Sequence, residues 1–320
     1  MDILVLVCSE VFLRRVLPAL YVCSGFTKIH IASKNKSIAN IDIRYHDKLG
    51  KWFDSYSNGI NSLCSNFVYI SLPNHLHFFW GKRSLLAGLN IIIEKPATLQ
   101  FSETMQLIQL SKHKELFIAE SVVWPFHPNI EILKNNLKLF QNNPTQINAS
   151  FTVPSFKSDN FRNYKRYGGG AFNDMSAYAV SIGRVLFCQK PISIICKKLS
   201  YSESEEIDTG FELEMDYGGG KFFKGKFGFD LEYKNNLEIF GSNFNFELSR
   251  VFSPPPDTEV NLTYKLNEVQ SNERTKGDVY YNFFNLILTS YDSKDWSVWS
   301  DLIIEDASLT EMVKLKVFSN

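Results

Sequence analysis

Leu89-Asn90-Ile91-Ile92-Ile93-Glu94-Lys95-Pro96-Ala97-Thr98 is an apolar run that breaks into charge and then into proline. Its β-branched centre has the composition of a strand buried on both faces, and Pro96, which cannot donate to a ladder, ends it. Open α/β sheets bind ligands beyond the carboxyl ends of their strands. A lysine at that place can reach a cofactor and a reacting carbonyl together, so the chain reads as an enzyme.

Outward from this run, short apolar segments alternate with helix-like ones: Ile3 to Val7, Val11 to Leu20, Lys28 to Ala32, Phe67 to Leu72, Phe78 to Ala87, Ser102 to Ser111 and Leu116 to Ala119. The strands are apolar throughout, which predicts a parallel sheet covered on both faces. Residues 1–120 are therefore expected to form a Rossmann domain, a doubly wound parallel sheet. Pro18 sits inside the first predicted helix and should bend or shorten it. Beyond Phe187 the period changes: Phe211, Leu213, Met215 and Tyr217 alternate with Glu212, Glu214 and Asp216, and after Gly218-Gly219-Gly220 the alternation resumes at Phe223, Phe227 and Phe229. This predicts a C-terminal α+β domain with a largely antiparallel sheet over residues 121–320, including helices at Asp278 to Ser290 and Ser308 to Phe318. The fold class is α/β.

Composition narrows the function. A chain of 320 residues with 44% hydrophobic content supports two cores. Lysine plus arginine equals aspartate plus glutamate at 34 each, so no net field draws it to nucleic acid or to an anionic membrane, and a small-molecule partner is expected. Cys8, Cys23, Cys64, Cys188 and Cys196 form no Cys-x-x-Cys pair. They read as buried thiols of a cytoplasmic protein, with no metal site. Met1 to Val7 lacks a basic flank and reads as a first strand, not a leader, and no apolar stretch approaches the ~20 residues of a membrane span.

Four clusters carry chemistry. The turn after the first strand, Val7-Cys8-Ser9-Glu10-Val11, has none of the glycines of a phosphate loop, although small Cys8 and Ser9 would still let helix N-terminal amides face a phosphate. A ligand-free turn fits this segment equally well. The second strand ends in Ser33-Lys34-Asn35-Lys36, where NAD-specific proteins carry an acid for the ribose 2′-hydroxyl; a hydroxyl and two lysines favour the 2′-phosphate of NADP if a cofactor binds. Leu72-Pro73-Asn74 with His77 lies at another strand end, where Asn74 and His77 would border nicotinamide and ribose. In the last cluster, Arg162 precedes Gly168-Gly169-Gly170, which opens a helix with Asn173 as its expected N-cap and with Asp174 and Tyr178 four apart on one face.

In their order and spacing, Leu72-Pro73-Asn74 with His77, Glu94-Lys95-Pro96, Gly168 to Tyr178, and Gly228-Phe229-Asp230 leading to Leu237-Glu238-Ile239-Phe240-Gly241-Ser242 resemble the Gfo/Idh/MocA oxidoreductase family. Cys8-Ser9-Glu10, Asp159-Asn160-Phe161-Arg162 and Phe252-Ser253-Pro254-Pro255-Pro256-Asp257 are similar to its NADPH-dependent 3-ketoreductases of nucleotide-linked deoxysugars. The resemblance implies NADP, with NAD as the other choice, and a sugar or nucleotide-sugar substrate. It also implies a C-terminal domain that binds substrate and mediates a homodimer or homotetramer. It makes Lys95 the residue that reaches nicotinamide ribose and substrate, Tyr178 the proton donor and Asp174 the group that orients the sugar. Cys8, Ser9, Glu10, Val11, Ser33, Lys34, Leu72, Pro73, Asn74, His77, Glu94, Lys95 and Arg162 are the implied cofactor contacts, and Pro18 falls where the family places it. The chain departs from the family at Val7, which replaces the first glycine, and at Trp124-Pro125-Phe126-His127-Pro128, where a basic residue is common. Two rivals stand beside this reading: an NAD-dependent dehydrogenase of a free polyol or sugar acid, and a binding or scaffold subunit that has lost the cofactor.

Overall fold

The computed structural model describes every residue except Cys8, Asn35, Lys36, 140–143 and 319–320. The readings placed on Cys8 and Lys36 thus lie outside the described residues. The chain divides into two units, Met1–Val122 with Tyr280–Ala307 and Val123–Val279 with Ser308–Asn320.

The first unit holds a six-stranded parallel sheet built from β1 (Asp2–Leu6), β2 (Lys28–Ala32), β3 (Leu49–Phe53), β4 (Phe67–Ile70), β5 (Asn90–Ile93) and β6 (Ile118–Glu120). Its helices are α1 (Leu17–Val22), α2 (Tyr56–Asn61), α3 (His77–Leu86) and α4 (Phe101–His113). The strand order β3-β2-β1-β4-β5-β6 is that of a dinucleotide-binding sheet, with the winding reversing between β1 and β4. Every residue of β4 and β5 is buried, as an apolar parallel strand requires. β3 escaped the sequence reading because Gly50 and Lys51 interrupt it and it lies half-exposed at the sheet edge.

Pro18 does not break its helix. The turn before it, Phe12–Val16, is wound wide as a π-helix, with the Leu17 N–H donating to the Phe12 carbonyl. Proline then falls in the first turn of α1, where a missing N–H costs little.

The C-terminal helices, α7 (Val279–Ser293) and the first half of α8 (Ser297–Phe318), return to the first unit. The reason is an aromatic face of the parallel sheet that the earlier helices leave uncovered. Phe284 of α7 packs edge-on against Phe26 at 6.0 Å and Tyr69 at 5.8 Å. Tyr291 meets Phe67 at 5.0 Å, and Trp299 meets Phe117 at 5.9 Å. Edge-to-face pairs of this kind add to the burial of already large apolar rings.

In the second unit, α5 (Pro128–Leu139) and α6 (Ala171–Ile182) accompany an eight-stranded sheet. Its strands are β7 (Gln146–Thr152), β8 (Ser193–Ser202), β9 (Ile207–Asp216), β10 (Phe222–Gly228), β11 (Lys234–Phe240), β12 (Phe244–Ser249), β13 (Val260–Leu266) and β14 (Val269–Thr275), in the order β14-β13-β12-β11-β7-β10-β9-β8. Every pairing is antiparallel except β7 with β10. The period-two pattern therefore has the predicted consequence: Phe211, Leu213 and Met215 are buried while Glu214 is exposed. α6 lies on the apolar face, with Phe172 edge-on to Phe211 at 5.3 Å. Of the cysteines, Cys23 is buried, Cys64 and Cys196 are partly covered and Cys188 is exposed. The expectation of buried thiols thus fails at Cys188, which occupies a left-handed turn after the α6 segment. No helix among the described residues is long and apolar enough to cross a membrane.

Candidate active site

At the end of β1 the Val7 N–H still donates to the Ala32 carbonyl at 2.9 Å, and then the backbone leaves the sheet with Val7 at φ 84°. A β-branched residue at positive φ is an outlier, since Cβ crowds the carbonyl. The turn thus keeps the path that glycine provides while carrying valine. Ser9 follows, its hydroxyl accepting the Phe12 N–H at 3.0 Å and so starting the helix as an N-cap. Its O–H remains a donor. Glu10 and Val11 are exposed in the first helical turn. Val7→Gly should tighten NADPH binding several-fold, because the isopropyl group no longer limits approach to the turn, while the released backbone strain, on the order of 1–3 kcal/mol, should appear as added folding stability. Fluorescence titration with NADPH measures it; an unchanged Kd would mean that the side chain lies off the cofactor's path.

The loop after β5 is fastened on every side. The Lys95-Pro96 peptide is cis. The Ala97 N–H donates to Glu120 Oε1 at 2.7 Å, and the Thr98 hydroxyl bonds the Gln100 carbonyl at 2.8 Å. Glu94 Oε1 accepts from Tyr69 and, at 3.2 Å, from Tyr280. His77, fully buried, holds Nδ1 at 2.8 Å from the Pro96 carbonyl and Nε2 at 2.8 Å from the Leu72 carbonyl. Burial lowers its pKa despite these two acceptors. With both ring nitrogens on carbonyls, His77 ties the end of β4 to the Lys95 loop. Leu72 and Asn74 are also buried, at 6% and 4% exposure, beside Pro73. Lys95 keeps part of its surface.

Beyond β2, Ser33 is buried with its N–H on the Phe53 carbonyl at 3.0 Å, and Lys34 is exposed with its ammonium 5.4 Å from the Tyr56 ring centroid. The aromatic face holds the cation near the strand end while leaving it solvated.

In the second unit the three glycines differ in role. A Cβ on Gly169 would stand 2.4 Å from the Arg162 carbonyl oxygen and 2.8 Å from that of Tyr164, so the chain crosses itself there. Gly170, at φ 102°, is the N-cap of α6. Asn173 is therefore not the cap; its amide donates back to the Gly169 carbonyl at 3.0 Å. The capping acceptor comes from another element: Asp208 of β9 takes the Phe172 N–H at 2.7 Å. One turn on, Asp174 pairs with Arg162, Oδ2 to Nε at 3.0 Å. The Arg162 guanidinium lies 4.6 Å from the Phe161 ring and 5.2 Å from that of Phe156. Asp174 and Tyr178 share a face of a helix otherwise almost wholly buried, and Tyr178 keeps partial exposure. Its ring is set edge-on to Phe151 at 5.2 Å and tilted on Phe252 at 5.5 Å. Phe252 is held in turn by Asn235, whose Oδ1 accepts its N–H at 2.9 Å.

Burial pushes the Asp208 carboxyl up from 3.8 to about 6. The folded chain therefore holds this proton more tightly than the unfolded chain, and the stability it brings is present below about pH 4 and lost as pH rises through about 6. Asp208→Asn keeps an acceptor for the Phe172 N–H without ionising. The variant should gain on the order of 2–3 kcal/mol relative to the parent between about pH 4 and pH 7.5; parallel melting-temperature curves across that range would contradict this.

Within the first unit the structure gathers Glu94, Lys95, Leu72, Pro73, Asn74 and His77, and within the second Arg162, Asp174 and Tyr178. Sequence reading missed Tyr69, Tyr280, Glu120, Asp208 and Asn235, and gave Phe252 no role at the site. Tyr69 alone left a signal, as the one polar tip in the run Phe67-Val68-Tyr69-Ile70.

The fold and these groups define an oxidoreductase. Residues 27–121 match the model of an oxidoreductase family with an NAD-binding Rossmann fold, and residues 143–247 match the GFO/IDH/MocA C-terminal domain. The chain belongs to the Gfo/Idh/MocA family. It is 26% identical over 250 residues to a dTDP-3,4-didehydro-2,6-dideoxy-alpha-D-glucose 3-reductase of Actinomadura kijaniata, covering 78% of this chain and 74% of that protein. A Streptomyces violaceoruber protein of the same name is 25% identical over 250 residues, covering 78% and 72%. The fold matches that of a 3-ketoreductase from Actinomadura kijaniata solved with NADP and TDP-benzene, at TM-score 0.89 and 21% identity over 99% of this chain and 98% of that one.

Proposed function

We propose that the protein is an NADPH-dependent 3-ketoreductase of a nucleotide-linked deoxysugar, and the observation that carries this is the Lys95 loop fixed at the end of β5. The dinucleotide fits the first unit: the strand order places a crevice at β1 and β4, the Val7 turn retains the glycine path, and the end of β2 offers Ser33 and Lys34 in place of an acid. Ser9, Glu10 and Val11 at the helix start, Ser33 and Lys34, and the edge Leu72, Pro73 and Asn74 would hold it, with Arg162 as a further contact. When bound, NADPH supplies the hydride.

Lys95 and Tyr178 manage the charge that develops on the ketone oxygen. The Lys95 ammonium would stabilise an alkoxide electrostatically, and the Tyr178 phenol would serve as the proton donor. Asp174, neutralised by Arg162, orients sugar hydroxyls. The relatives' names support the substrate class, and the solved structures of the Actinomadura enzyme include a lysine variant and a tyrosine variant bound to NADP and TDP-benzene. This reading also takes the protein to be a cytoplasmic homo-oligomer serving surface-polysaccharide or natural-product assembly.

The test is titration with NADPH and NADH followed by assay of keto-sugar nucleotides. NADPH should bind at least tenfold tighter than NADH, with turnover of a dTDP-keto-deoxysugar. Lys34→Asp should abolish the preference by weakening NADPH alone. Absence of binding by either nucleotide would overturn the reading.

A further inference from the structure

β2 and β3 end side by side, with Ala32 opposite Phe53 and the Ser33 N–H on the Phe53 carbonyl at 3.0 Å. From there the chain turns directly into α2, whose N-cap Ser55 accepts the Asn58 N–H at 3.1 Å. The helix is pressed onto the sheet: a Cβ on Gly59 would stand 3.1 Å from Ala32 Cβ and 3.2 Å from two methyl carbons of Leu4. Tyr56, the first residue of α2, is thereby fixed beside the exit of β2. It is 9% exposed, and its ring is set edge-on to Trp80 of α3 at 5.2 Å. Lys34, the second residue after β2, holds its ammonium 5.4 Å from the centre of this clamped ring.

We propose that Tyr56 is a specificity-determining positioning residue: its ring holds the Lys34 ammonium, fully charged and with its donors free, where the 2′-phosphate of NADP is read. The assignment rests on the NADPH reading of the β2 end. A carboxylate could hold the lysine equally well, but it would neutralise the cation and repel a phosphate. The face of an aromatic ring attracts the ammonium without doing either. Burial raises the Tyr56 pKa, so the phenol stays neutral and adds no anion of its own. A lysine already held near its working position has less rotamer freedom to lose when a phosphate captures it.

The test is a set of nicotinamide-fluorescence titrations on the full chain, giving Kd for NADPH and for NADH. Tyr56→Leu and Tyr56→Met keep apolar volume against Trp80 but have no ring face; each should weaken NADPH by about two- to fivefold and leave NADH unchanged. Tyr56→Phe keeps the face and should keep the parental ratio of the two constants. General damage to the unit would instead weaken both nucleotides alike. In a Lys34→Met background, Tyr56→Leu should cost NADPH binding nothing further, because the ring acts through the lysine. An unchanged NADPH-to-NADH ratio in both ring-free variants, or the same loss of NADPH affinity with and without Lys34, would overturn the assignment and leave a parental preference for NADPH standing. A parent protein that binds the two nucleotides equally would sink the NADPH reading itself, and the role of Tyr56 with it.

Discussion

Lys95→Ala is expected to lower kcat for keto-sugar reduction by about 10²–10⁴, and Tyr178→Phe by a similar factor. The Lys95 loop is held by backbone and by other side chains, through Ala97 to Glu120 and Pro96 to His77, so removing the lysine leaves its path intact. Phenylalanine keeps the contacts of the Tyr178 ring with Phe151 and Phe252 and removes only the hydroxyl. Melting temperatures should therefore stay near the parent value while turnover collapses. If the residues act in the transition state, kcat and kcat/KM fall together; a rise in KM alone would assign them to ground-state binding. Near-parental rates in both variants would remove them from the mechanism.

The second large effect is expected at Gly169, which contacts no ligand in the proposed mechanism. Alanine there places Cβ against two backbone carbonyl oxygens, of Arg162 and Tyr164, and neither can rotate away. The loop must move, at a cost of roughly 1–3 kcal/mol for forced overpacking. Because the Gly170 N–H also donates to the Arg162 carbonyl at 2.9 Å, movement is passed to the Arg162–Asp174 pair. A misplacement of about 1 Å costs up to about 10² in rate, so Gly169→Ala should lose activity beyond what its reduced stability explains. Gly219→Ala is the control. It sits at φ 60° in the β9–β10 turn with nothing within 4 Å of an added Cβ, and should cost on the order of 1 kcal/mol with kcat unchanged. Equal activity in the two variants would contradict the argument.

The parallel sheet and the antiparallel sheet were legible because burial on two faces and on one face leave different periods, continuous apolar runs in β4 and β5 and alternation in β9. β3 was not, since an edge strand with one glycine and one lysine carries neither signature. Lys95, Asp174 and Tyr178 could be singled out because strand ends and i, i+4 spacing are local properties. What holds them is not local. Asp208 caps α6 from another strand, Asn235 fixes Phe252 from across a hairpin, and Tyr280 reaches Glu94 over an interval of 186 residues. The contacts of His77 are of the same kind: its two acceptors, Leu72 and Pro96, flank different strand ends.

The return of α7 and the start of α8 to the first unit constrains how the chain is made. On a ribosome, the parallel sheet emerges long before residue 280, so Phe26, Phe67 and Phe117 wait without the rings that finally cover them while the second unit is synthesised in between. Exposed aromatic surface of this kind is what aggregates or recruits chaperones during synthesis. The nucleotide-binding half therefore cannot be excised as a contiguous N-terminal fragment. A fragment ending at Val122 lacks its own cover, whereas a fusion that joins Val122 through a linker to Tyr280–Ala307 restores it.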